Sequence, residues 1–214
     1  MRLSVFGATG RLGQEVVRLA SQRGHEVIAH ARSPVGPSRQ GAVWMSGDIA
    51  PVVQGSAGVI VTFGPRSPSD PPFCEAQTQL ILSAMLQQGV SRILCVTGAM
   101  VGHYSRNRTW LFEHLATWIQ RRYLKTMDDR TRQETLVRNS DLRWTIFKPP
   151  RLTMKQATGR CEVGSDVRVG LLSSISRDDL AGLLVEEIER NNMVGQTVFV
   201  KGIHSGQAPK LAAR

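Results

Sequence analysis

The stretch Gly7-Ala8-Thr9-Gly10-Arg11-Leu12-Gly13 constrains the fold more than any other part of the chain. It follows a short apolar run, Leu3–Phe6, and opens a segment with helical spacing, Arg11–Gln22, in which Leu12, Val16, Leu19 and Ala20 share one face. At such a junction each glycine has its own use. Gly7 permits a tight turn, Gly10 lets the backbone approach an anion, and Gly13 lets helix and strand pack closely. The helix start adds unpaired N–H groups and the positive end of the peptide dipoles. The spacing is G-x-x-G-x-x-G rather than G-x-G-x-x-G, and its place between strand and helix gives it weight. The turn predicts a site for a dinucleotide pyrophosphate.

Downstream, strands and helices alternate. Glu26–His30, Ala42–Met45, Gly58–Phe63, Arg92–Val96, Trp144–Phe147 and Thr197–Val200 read as strands, and Phe73–Gln88 and Asp178–Arg190 as helices. Most of the strands are unbroken apolar runs, as in a parallel sheet covered on both faces. The expected architecture is therefore α/β: a single doubly wound Rossmann domain over residues 1–214 with a mostly parallel sheet. The substrate pocket is expected from about 98–175. Ser33–Ser38 and Pro65–Pro72 read as loops, and the tail 203–214 as frayed.

Composition narrows the function classes. The chain has 214 residues and 41% hydrophobic content, enough for one sizeable core. No apolar run reaches the ~18–20 residues that span a bilayer. Cys74, Cys95 and Cys161 are far apart and form no C-x-x-C pair, so neither a disulfide framework nor a metal site is expected, and a cytoplasmic location is. The net charge of +10 is regional: Gly102–Lys155 holds twelve Lys/Arg against five Asp/Glu. A solvated basic surface is the simple explanation, and nucleic-acid binding rests on charge alone.

The second strand end bears on the choice of cofactor. An acid about 20 residues beyond the glycines would bind a ribose 2′-hydroxyl. The chain instead has Ala29-His30-Ala31-Arg32-Ser33, and Arg32 can pair with a 2′-phosphate, with Arg39 nearby to help. Asp48, after the third strand, is placed either to contact an adenine edge with Ile49 against the ring, or to cap a local turn.

The segments "FGATGRLGQEVV", "HARS", "GDI", the Pro149-Pro150 pair and "ISRDDLA" resemble the atypical short-chain dehydrogenase/reductases. More narrowly they resemble the NmrA-like NAD(P)H-binding group and the small biliverdin-IXβ/flavin reductases. The resemblance implies a Rossmann domain of about seven parallel strands with NADP(H) at their carboxyl ends. It implies that Gly7, Thr9, Gly10, Arg11, Leu12 and Gly13 hold the pyrophosphate, Arg32 and Ser33 the 2′-phosphate, and Asp48 and Ile49 the adenine. Phe63, Gly64, Thr97 and Gly98 would line the ribose and nicotinamide, with Lys148, Pro149 and Pro150 near the nicotinamide.

Two departures stand out. The Tyr-x-x-x-Lys pair of classical members is broken in both places it could occur, Tyr104-x-x-x-Arg108 and Tyr123-x-x-x-Met127. Flavin-reductase relatives carry a serine at the fifth strand end, where this chain has Gly98. Thr97 precedes it, but neighbours on a strand point to opposite faces, which argues against Thr97 as a replacement. His103 and Tyr104 are the nearest candidates for a proton donor. In Arg106–Lys125 an apolar stripe of Trp110, Leu111, His114, Leu115, Trp118 and Ile119 falls at helical spacing, as a core face would, with a pocket wall or a dimer surface as alternatives. The expected function is an NADPH-dependent oxidoreductase passing hydride to a planar aromatic, flavin-like or quinone-like substrate, in keeping with a biosynthetic role, as a monomer or homodimer without membrane attachment. The alternatives are a non-catalytic NADP(H) sensor and a ketone reductase or isomerase.

Overall fold

A computed structural model describes residues 1–33, 41–67 and 69–203. Arg39, most of the Ser33–Ser38 loop, and the tail from residue 204 lie outside the described residues. The elements run β1 (Arg2–Phe6), α1 (Arg11–Gln22), β2 (Glu26–Ala31), β3 (Val43–Ser46), α2 (Ile49–Val53), β4 (Gly58–Val61), α3 (Cys74–Gln87) and β5 (Arg92–Val96). After a 3-10 turn at Ser105–Asn107 come α4 (Trp110–Arg122), α5 (Leu124–Arg138), β6 (Arg143–Lys148), β7 (Arg151–Thr153), β8 (Cys161–Gly164), β9 (Ser174–Ser176), α6 (Arg177–Arg190) and β10 (Gln196–Gly202).

The main sheet has eight strands in the order β3-β2-β1-β4-β5-β6-β10-β8, all parallel to their neighbours except β8, which runs antiparallel to β10. β7 and β9 form a separate parallel pair. The order reverses between β1 and β4, and in such sheets a crevice opens there beyond the carboxyl ends of the strands. Successive side chains feed the two faces in turn. Leu3 and Val5 join the layer built with α1 and α6, while Phe6 joins the layer built with α2 and α3. Burial on both faces explains the unbroken apolar runs.

Three findings depart from the sequence expectation. Helix α5, for which the apolar pattern gave no signal, buries Thr126, Asp129, Arg130, Gln133 and Glu134, and Val137 is its only buried apolar residue. Helix α4 buries Phe112 and Ala116, not the predicted stripe: Trp110 is 70% and Trp118 61% exposed. His114 is exposed as well, its Nδ1 2.8 Å from the Trp110 carbonyl, rather than packed in the core. The basic excess is also only partly a solvated surface, since Arg108, Arg130 and Lys148 are buried.

Candidate functional site

Two of the turn glycines are demanded by close approach. Gly7 has φ +80°, and a Cβ there would stand 2.5 Å from the Phe63 backbone nitrogen. A Cβ on Gly13 would overlap the Gly7 carbonyl oxygen and come within 2.8 Å of Ala8 Cα. Gly10 caps α1, and its N–H donates to the Gly7 carbonyl at 2.9 Å. No side chain caps α1, and its first turn contains no acid, so its N–H groups and positive end are left for an anion. This cradle suits a pyrophosphate.

Thr9, Gly10, His30 and Arg32 line a hollow of about 170 Å³ beside this turn, closed on the far side by Phe63, Gly64 and Phe73. Arg32 and Ser33 are exposed at the end of β2. Asp48 is exposed at the N-cap position of α2 and makes no cap hydrogen bond, so it is not capping the helix. Ile49 packs, half-buried, against the α2–α3 layer.

The larger crevice, about 660 Å³, lies over the ends of β4, β5 and β6. Phe63, Gly64, Thr97, Gly98, Pro149 and Pro150 line it, with Leu12 at the start of α1. Phe112, Leu115, Met127 and Leu171 form other parts of the wall, so α4 contributes to the pocket through Phe112 and Leu115. At Gly98 there is room, since an added Cβ would meet only Val101 Cγ2, at 3.9 Å.

The polar face of α5 organises the strand ends. Asp129 accepts the N–H groups of Phe73, Cys74 and Glu75 and so caps α3 (2.9–3.2 Å). Arg130 borders the crevice and donates to the Phe63 and Val96 carbonyls at 2.9 and 3.3 Å, tying the ends of β4 and β5 together. Glu134 accepts from the Thr97 hydroxyl at 2.6 Å, the Tyr104 hydroxyl at 2.9 Å and the Lys148 ammonium. Arg130 and Glu134 were missed in the sequence. The signal that could have found them is a polar series at helical spacing, 126-129-130-133-134.

The remaining predicted residues separate. The Lys148 side chain is fully buried between Glu134 and the Val101 carbonyl, its ammonium 4.3 Å from the centre of the Tyr104 ring, and it is not part of the crevice wall. Burial lowers its pKa to about 8 despite Glu134. Tyr104 also stands off the crevice, its oxygen accepting from Arg138 at 2.6 Å, and burial and the Glu134 charge push its hydroxyl up to about 12. His103 lines a different hollow, with Gln120 and Asp128. Arg108, in the lysine position of the first broken pair, is structural: it donates to the Ala99, Val101 and Gly102 carbonyls at 2.7–2.9 Å and pairs with Glu113. Among the described residues no group of His, Cys, Asp and Glu could hold a metal, and no helix is long and apolar enough to cross a membrane.

Residues 7–191 match the family model for NAD(P)H-binding proteins. Solved structures share the fold at low identity. A protein from Streptococcus pneumoniae named as a candidate NADH-flavin reductase is 22% identical, with 95% of this chain and 100% of that one covered and a TM-score of 0.75. An anaerobilin reductase from Escherichia coli O157:H7 is 20% identical over 98% and 100% of the two chains, with a TM-score of 0.73. An oxidoreductase from Lactococcus lactis is 18% identical over 95% and 91%, with a TM-score of 0.74.

Proposed function

We propose that this chain, which belongs to the NAD(P)H-binding family, is a reductase that uses NADPH and passes hydride to a planar aromatic acceptor of the flavin or quinone type. The observation that carries the reading is the chemistry of the crevice wall. Among its described residues the only ionisable side chains are Arg130 and Arg151, and no acid faces the space beside Gly98. The cofactor supplies hydride when bound. The chain's own part is then to bind, align and exclude water, and positioning alone accounts for large rate effects when the reacting atoms are held ~3–3.5 Å apart.

The glycine turn and the free N–H groups of α1 would hold the pyrophosphate. Arg32, where no acid ends β2, would hold the 2′-phosphate. Open space at Gly98 and the flat edges of Pro149 and Pro150 would receive an aromatic ring. Such acceptors can take a proton from water, whereas a ketone more often needs a side-chain acid. Tyr104, off the crevice and with a raised pKa, is poorly suited to that role, so the geometry favours a ketone substrate less. The flavin- and bilin-reductase names of similar folds are in keeping with planar acceptors. The same lack of an acid also suits a non-catalytic NADP(H) sensor.

NADPH oxidation should be followed against a panel of flavins, quinones and aromatic ketones. Turnover of flavins or quinones, retained in His103→Ala, is the expected result. Tight NADPH binding with turnover of nothing in the panel would favour the sensor. For the cofactor, Arg32→Ala should weaken NADPH binding by roughly 10–100-fold, the value of one charge-assisted contact, and leave NADH nearly unchanged. Equal loss for both would remove Arg32 from the 2′-phosphate.

A further inference from the structure

We propose that an anion subsite at Lys155 and Arg177, beside Arg11, holds a phosphate ester carried by the planar acceptor. The inference rests on the reductase reading and names a substrate class for it, the phosphorylated flavin rather than the bare ring. A cavity of about 330 Å³ lies where the start of α1 meets the start of α6, next to the strand β7. Residues next to each other in the chain line this cavity and the main crevice. Leu12 lines the crevice and Arg11 this cavity, and Leu152 lines the crevice while Thr153 lines this cavity.

The charges in it do not balance. Both carboxylates on the wall, Glu15 and Asp178, are taken by Arg18, whose Nε reaches Glu15 at 2.8 Å and whose Nη2 reaches Asp178. The side chains of Arg11, Lys155 and Arg177 enter no hydrogen bond or ion pair with any described residue. Asp179, next in the chain to Asp178, accepts the N–H groups of Thr158 and Gly159 at 2.8–3.1 Å and the Ser176 hydroxyl at 2.7 Å. Half-buried Arg177 is held below its ordinary pKa by burial and then by the charge of the exposed Arg11, so the two guanidinium groups repel one another. An anion relieves that repulsion, and guanidinium forks match phosphate oxygens. A dianion suits three unpaired cations better than a single carboxylate does.

In the reductase reading the pyrophosphate belongs at the glycine turn, to which the resemblance also assigns Arg11, and Arg32 lines the hollow on the adenine side, whose wall includes neither Lys155 nor Arg177. Lys155 and Arg177 are therefore the cations left for a phosphate that the acceptor brings.

The test uses the full chain saturated with NADP⁺ and reads equilibrium binding by quenching of flavin fluorescence. Flavin mononucleotide and riboflavin share a ring and differ in the phosphate. The intact protein should hold the mononucleotide at least about 10-fold more tightly than riboflavin, the effect of one charge-assisted contact. Arg177→Gln and Lys155→Gln should each shrink that preference without changing riboflavin or NADPH affinity. Equal affinity for the two flavins in the intact protein would overturn the subsite. So would a loss of NADPH binding in Arg177→Gln with flavin mononucleotide unaffected, which would make the cluster part of the cofactor site. Inorganic phosphate that bound as tightly as the mononucleotide would make it a free-phosphate site and overturn the link to the acceptor. Turnover separates the two readings. Reduction of both flavins at equal KM removes only the subsite, and selective mononucleotide binding with no reduction removes only the reductase.

Discussion

Two buried cation–carboxylate pairs stand at opposite ends of the strands β5 and β6. At the amino end Arg92 meets Glu187 of α6 at 2.5 Å and also donates to the Arg143 carbonyl and the Thr145 hydroxyl, at 2.7 and 2.9 Å. Glu187 in turn accepts the Asn192 and Met193 N–H groups, so the knot closes the turn after α6. At the carboxyl end Lys148 meets Glu134 of α5, which also holds the hydroxyl of Thr97, a crevice residue. Burial lowers both cations, Arg92 to about 10 and Lys148 to about 8. A perturbed cation is therefore no mark of a site by itself. What differs is the end of the sheet: one pair fastens the amino ends of the strands, and the other holds the strand end that borders the crevice.

The comparison can be broken most directly by removing each cation. Lys148→Met and Arg92→Met both leave a carboxylate buried without its partner and should each cost about 3–5 kcal/mol, a fall in Tm of roughly 6–20 °C. Only the Lys148 variant should also alter KM for the acceptor, through Thr97. An equal kinetic effect of Arg92→Met would erase the distinction.

A smaller effect separates the pairs by pH. The folded chain gives up the Lys148 proton near 8, and the unfolded chain holds it to about 10.5. The unfolded state binds more protons in between, so this residue's contribution to stability rises with pH from about 8. The slope is at most ~1.4 kcal/mol per pH unit. Arg92 acts only above about 10. The raised thiols of Cys74, Cys95 and Cys161 act in the opposite sense above 9, so the window is pH 8 to 9. Denaturant unfolding across it should lose the Lys148 contribution in Lys148→Met and keep it in Arg92→Met. The same slope in both variants would assign it to another group.

The smallest change in turnover is expected from Tyr104→Phe. It removes a charge-assisted hydrogen bond to the buried Glu134, worth about 1.5–3 kcal/mol, and a half-exposed one from Arg138, and should leave turnover nearly intact. A fall of ~100-fold or more, the range for a lost general acid, would make Tyr104 the proton donor and bring the buried pair into the chemistry.

Much of the frame was legible because it depends on local pattern. The apolar runs of β1, β4 and β5 announced a sheet covered on both faces, and Gly7 and Gly13 stand where backbone crowds backbone. Helix α5 was illegible for the opposite reason: its buried face is Asp129, Arg130, Gln133 and Glu134, whose burial is made tolerable only by partners far away in the chain. On α4 the pattern misled, since Phe112 and Ala116 face inward while Trp110 and Trp118 do not. At Lys148 the sequence placed the residue at the right strand end, yet the alternation of the strand and the presence of Glu134 turn its side chain away from the crevice.

The sequence by itself determined the strand–turn–helix that begins the fold, the parallel sheet, and a glycine turn shaped to receive an anion, because spacing and glycine sterics act over a few residues. Tertiary structure alone decided which polar groups are buried together and which cations keep no partner. Glu134 finds Thr97, Tyr104 and Lys148, and Arg18 takes both acids away from Arg11 and Arg177, through contacts between distant segments that no local period records.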